Sequence, residues 1–139
     1  MSMIEVTFPG GSVVTSNFGK FEVPTDQPLD EGGTDTAPEP YMLFLSSIVT
    51  CAGFYVQKFC QQRELLTEGM TMTLDIERNP ETRRLEKVKM AIQLPEGFPE
   101  KYKKAVIRAA GMCSVKKAIA DPPEFEVITE SLPGNEKSS

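Results

Sequence analysis

The sequence predicts an α+β fold with elements in the order βββ-α-ββ-αα-β. Three observations predict it. Short β-branched and aromatic runs punctuated by Gly and Pro fill the first 23 residues. One long apolar run without internal Pro follows Pro40. Two alternating segments, residues 70–78 and 85–94, then precede two helical patterns and a last strand-like stretch. A chain of 139 residues suits one domain. That domain is expected over residues 1–131, with 132–139 a disordered tail.

Residues 3–8, 12–16 and 20–23 are separated by Pro9-Gly10-Gly11 and Asn17-Phe18-Gly19, the punctuation of two consecutive hairpins. Residues 24–38 hold three prolines, two glycines and four carboxylates without periodicity. A stretch of that kind is either a floppy acidic loop or one held for function or by a partner. Pro40 suits the first turn of a helix, where its missing N–H costs nothing. From Tyr41 to Val56 that helix is apolar on nearly every side, which demands burial all round. One chain of this size can hardly enclose it, so a second subunit is expected to cover part of it. The run is 16 residues long and interrupted by Ser46, Ser47 and Thr50, short of the ~20 needed to span a bilayer.

In residues 70–78 and 85–94, Met70, Met72, Leu74 and Ile76 share one face, as do Val88, Met90 and Ile92, and Asn79-Pro80 closes the hairpin. Residues 99–110 place Tyr102, Val106, Ala109 and Ala110 at helical spacing, with Gly111 as a stop. A second short helix is expected from Cys113 to Ala120, ended by Asp121-Pro122-Pro123, and a strand over 125–130.

Composition removes whole classes of chemistry. There is no histidine, so neither Ser-His-Asp or Cys-His machinery nor a His-ligated metal site can exist within the chain. No metal-spaced ligand cluster and no Gly-rich phosphate loop is present, and no cofactor is expected. The net charge of −5 argues against a nucleic-acid surface, and the basic run Lys101 to Lys117 reads as a solvated helix face. The start MSMIEVTFPGG lacks the basic and apolar regions of a signal peptide. The expectation is a cytoplasmic protein without a membrane or nucleic-acid partner.

Three cysteines remain as candidate reactive groups: Cys51, Cys60 and Cys113. Cys60 lies nine residues after Cys51, half a revolution beyond whole turns, so the two thiols face opposite sides of one helix. By its apolar surroundings alone Cys51 reads as a core residue, as does Cys60. Cys113 opens a helix next to Lys116 and Lys117, which makes it the best activated of the three on local chemistry.

Two stretches carry a resemblance. Ala37-Pro38-Glu39-Pro40-Tyr41-Met42-Leu43 leads to Cys51 inside the long helix, and Ala110-Gly111-Met112-Cys113-Ser114-Val115 joins two shorter helices about sixty residues on. With the element order, the chain from about residue 3 to 131 resembles the OsmC/Ohr family, the osmotically inducible protein C and organic hydroperoxide resistance proteins. The resemblance implies an intertwined homodimer with two long central helices packed on sheets. It also implies peroxiredoxin-like reduction of small apolar hydroperoxides in a stress response, with Cys51 attacking, Cys113 resolving, and an external thiol reductant. Relatives hold the thiolate with an N-terminal arginine and a glutamate early in the long helix. Here no arginine precedes Arg63, Met42 occupies the position of that glutamate, and Ser114 stands where relatives often carry proline. Without those groups Cys51 is expected to have a pKa no lower than a free thiol, unless Lys20, Lys58 or a partner's cation assists. The alternative is a non-catalytic relative that binds an apolar small molecule at the dimer interface.

Overall fold

A computed structural model describes residues 2–133. β1 (Glu5–Gly10), β2 (Val13–Phe18) and β3 (Phe21–Thr25) form an antiparallel meander. Phe18 pairs directly with Phe21, so only Gly19 and Lys20 make the turn, and Gly19 takes the positive φ of 59° that such a turn requires. The long helix α1 (Pro40–Gln62) follows, then the hairpin of β4 (Thr71–Arg78) and β5 (Leu85–Gln93), and two short helices, α2 (Lys103–Ala110) and α3 (Ser114–Ala120).

The hairpin sorts its residues as the alternation requires. Met72 faces Ile92, Leu74 faces Met90 and Ile76 faces Val88 on the half-buried side. On the other side Asp75 opposes Lys89 and Glu77 opposes Lys87, so cross-strand charges attract. Asn79 closes the hairpin, its Oδ1 accepting from the N–H groups of Glu81 and Thr82 at 2.9 and 3.0 Å.

The core is the contact of α1 with α2. Ala52, Val56 and Phe59 of α1 meet Val106, Ala109 and Ala110 of α2, joined by Cys60 and Cys113. Ala52 is fully buried, and its small side chain lets the two backbones come close. Gly111 ends α2 as expected, but with an ordinary helical φ of −71° rather than in the left-handed region.

Residues 24–38 are ordered around one buried carboxylate. Asp26 is fully buried and accepts from the hydroxyls of Ser12, Thr34 and Thr36. It also accepts from the N–H groups of Gln27 and Thr36, at 2.7 and 3.1 Å. These donors favour the charged form and hold the Asp26 carboxyl far below the usual carboxylate range. Its own N–H donates to the carbonyl of Pro38 at 3.2 Å, which sets the entry of the chain into α1. Gly33 is obligatory in this loop, since a Cβ there would stand 1.9 Å from the carbonyl oxygen of Gln27. The acidic stretch is therefore a pinned loop, not a floppy one.

One expectation is corrected. Residues 125–130 form no strand: neither sheet offers them a ladder, and every residue from 121 to 133 is exposed. The element order among the described residues is βββ-α-ββ-αα. α1 is not enclosed within its own chain, as expected from its all-round apolar character. Leu45, Ile48, Ala52, Val56, Phe59 and Cys60 make one buried stripe, while Phe54 is 57% and Met42 54% exposed. At 23 residues α1 is also longer than the apolar run within it, and it passes the length and composition test for a membrane span. Its packing against α2, α3 and β4 gives it the position of a core helix. Of the tail expected at 132–139, residues 132 and 133 are exposed, and 134–139 lie outside the described residues.

The Asp26 hub has a measurable consequence. A carboxyl whose folded-state pKa is depressed stabilises the fold above its unfolded pKa and loses that contribution as pH falls. Asp26→Asn is expected to lower the melting temperature at pH 7 by roughly 5 °C or more. Scanning calorimetry should also show that the variant lacks part of the wild-type loss of stability below about pH 4.

Candidate active site

The two cysteines singled out by the sequence come together where α3 begins against the middle of α1. Cys51 projects from α1 towards the first residues of α3, half-buried, and its Sγ lies 3.7 Å from the Ser114 hydroxyl oxygen. Cys113 is fully buried at the N-cap of α3. Its sulfur accepts the N–H of Lys116 at 3.4 Å, and its S–H lies 3.7 Å from the carbonyl oxygen of Ile48, less than one turn before Cys51.

α3 starts here for a local reason. The first N–H groups of any helix lack intrahelical acceptors. One of them is satisfied by the Cys113 sulfur, and others are left for Cys51. The N–H of Val115 lowers the Cys51 pKa most, followed by the Cys113 thiol. The Ser114 hydroxyl and N–H add to this, and burial opposes it. The net result is a thiol lowered to about 7. The expectation of an unassisted Cys51 is thereby overturned. Its stabilising groups include no cation: Lys20 lies 5.5 Å over the Phe21 ring, and Lys58 is exposed. Neutral hydrogen-bond donors do the work expected of an arginine.

The roles of the thiols are also redistributed relative to local sequence chemistry. Cys113, expected to be the activated thiol, is buried with its S–H directed at the Ile48 carbonyl, and it lies among the groups that lower the Cys51 thiol. Cys60 faces away into the core, as the helical spacing requires, and burial pushes its thiol up, partly offset by the charge of Arg63. Arg63 itself stacks over Phe59 at 3.8 Å. The guanidinium that reaches the first turn of α1 is Arg78 of β4, 4.6 Å over the Tyr41 ring, and it was not singled out from the sequence. Tyr41 precedes Cys51 by ten residues, roughly 15 Å along the helix axis. Sequence reasoning also missed Ser114 and Val115 as partners. The only available signal for Ser114 was its departure from the proline common in relatives; a backbone donor such as Val115 leaves no mark in residue type.

With its thiol lowered to about 7, Cys51 is expected to be alkylated by iodoacetamide with a rate that titrates near pH 7 in a Cys60→Ala, Cys113→Ser background, where the serine hydroxyl keeps a donor at position 113. Adding Ser114→Ala should raise the midpoint, because one donor to the thiolate is removed. A midpoint above 8.5 before that change would overturn the assignment.

Comparison with known proteins bears on the family and the fold. The family described as OsmC-like protein matches residues 33–128. Among solved structures, the chain is 24% identical to a protein from Psychrobacter arcticus whose name refers to osmotic stress induction and a detoxification response. The TM-score is 0.72, with 85% of this chain and 88% of that one covered. An OsmC-like protein from Mycoplasma pneumoniae is 13% identical with a TM-score of 0.68, covering 86% of each chain. An organic hydroperoxide resistance protein from Elizabethkingia anophelis is 20% identical with a TM-score of 0.60, covering 88% and 91%. A search of curated protein sequences gave no significant match. The matched segment begins in the pinned loop, contains both thiols and extends past α3, and on that match the chain belongs to the OsmC-like protein family.

Proposed function

We propose that this protein is a thiol-dependent reductase of small apolar hydroperoxides, with Cys51 as attacking and Cys113 as resolving residue. One observation carries the reading: Cys51 and Cys113 meet where α3 begins against α1, and the groups gathered there lower the Cys51 thiol to about 7. Only the thiolate attacks, and at this pKa about half of Cys51 is thiolate at neutral pH. The thiolate sulfur attacks one peroxide oxygen, the O–O bond breaks, and the departing alkoxide takes a proton to become an alcohol. Cys51 is left as a sulfenic acid. The Cys113 sulfur then attacks the Cys51 sulfur, water leaves, and a disulfide remains. An external dithiol supplies the two electrons that restore both thiols. No cofactor enters these steps.

The same reading includes a cytoplasmic homodimer. Only 28% of the most apolar window of α1 is buried within one chain. Phe8, Val6 and Phe21 of the meander are exposed as well. A second copy laid against α1 and the meander would cover this surface, and an obligate interface of that kind buries upwards of ~2,000 Å². Light scattering at low micromolar concentration is expected to give twice the 15.4 kDa chain mass; a monomer would refute the assembly.

The chemistry is tested by adding cumene hydroperoxide to the reduced protein and counting free thiols by mass spectrometry. The expected result is loss of two of the three, a peptide joining Cys51 to Cys113, and Cys60 still free. Cys51→Ser should abolish the loss. The second reading, a non-catalytic relative binding an apolar small molecule, is favoured by the absence of any arginine before Arg63 and by Met42 in place of a glutamate. Under that reading all three thiols survive the peroxide.

A further inference from the structure

A cavity of about 470 Å³ lies between the half-buried face of the β4–β5 hairpin and α2, and neither Cys51 nor Cys113 lines it. Its walls are apolar: Met72, Met90, Ile92, Val106 and Ile107. Its polar side chains are two lysines, Lys103 and Lys116, and no carboxylate lines it. Lys103 is already paired with Glu100 at 2.7 Å. Lys116 has no ion pair among the described residues, and its Nζ folds back over Gly111, 3.9 Å from where a Cβ there would stand. A trough of this size is within the range of small-molecule sites. Methionine thioethers adapt to an irregular alkyl chain, and an unpaired ammonium at the edge calls for an anion.

We infer that this cavity is a binding site for a medium-chain carboxylic acid, the alkyl chain lying on Met72, Met90 and Val106 and the carboxylate meeting Lys116. A second hollow, about 510 Å³ beneath the N-terminal half of α1, makes the contrast. It is bordered by Met42, Leu45, Val49 and Ile76, but its charged group is Asp75, which would repel the same ligand. The acid site is separate from the proposed peroxide chemistry and stands whether or not the thiols turn over.

Calorimetric titration of the fully reduced chain with octanoate, decanoate and dodecanoate, each below its micelle concentration, tests the inference. Affinity is expected to rise roughly fourfold per added methylene. Methyl decanoate, which has the chain without the charge, should bind at least about tenfold more weakly than decanoate. Lys116→Gln should remove that difference while leaving ester binding unchanged. Ile107 is 64% exposed, so Ile107→Asp can place a repelling charge at the cavity without disturbing the core, and it should weaken decanoate further. Absence of saturable binding, equal affinity for acid and ester, or an unaltered Lys116→Gln protein would overturn the site. Binding seen only on dilution to monomer would overturn it too, since a second copy would then occupy the cavity. None of these outcomes depends on the thiol count after peroxide.

Discussion

The close approach of α1 and α2 at Ala52 organises the rest of the molecule. Val106, Ala109 and Ala110 rest on a short stretch of α1, and a larger residue at position 52 would push the helices apart. Because α2 is held there, the turn after it delivers Cys113 to the carbonyl of Ile48 and presents the start of α3 to Cys51. The two thiols are sixty-two positions apart in sequence and share one environment through this single packing contact. The helix contact is thus the structural cause of the two thiols' proximity.

That arrangement explains how the site manages without an arginine beside it. Charge is one way to hold a thiolate; several aligned N–H and O–H groups are another. Donors supplied by a helix that is itself packed in place need little reorganisation when the sulfur ionises. The arrangement also places Cys113 among the groups that lower the Cys51 thiol.

Most of the fold was legible from pattern. The hairpin at 71–78 and 85–93 shows a strict alternation with opposite charges on its open face, and α2 shows its apolar spacing at Tyr102, Val106 and Ala109. Cys51 and Cys113 could be named as a pair because a resemblance pointed to them; helical spacing only set Cys60 on the opposite side of α1, and apolar surroundings alone read Cys51 as a core residue. Other features were hidden for physical reasons. The activation of Cys51 depends on backbone N–H groups, which every residue but proline possesses. Asp26 looked like one carboxylate of four in an acidic stretch; only the converging hydroxyls of Ser12, Thr34 and Thr36 distinguish it. Residues 125–130 carry the composition of a strand, but strand formation requires a neighbour, and pattern does not say whether the same chain provides one.

That exposed segment bears on solubility. Phe125, Val127 and Ile128 are 85%, 94% and 66% exposed, and an extended apolar stretch of this length is a template for amyloid-like stacking. Glu124, Glu126 and Glu130 interleave with them. In a parallel, in-register stack each glutamate would face its own copy about 4.8 Å away, and the repulsion would recur at every layer. The carboxylates act as gatekeepers: they block runaway assembly of identical segments while leaving the backbone free to pair with a different edge.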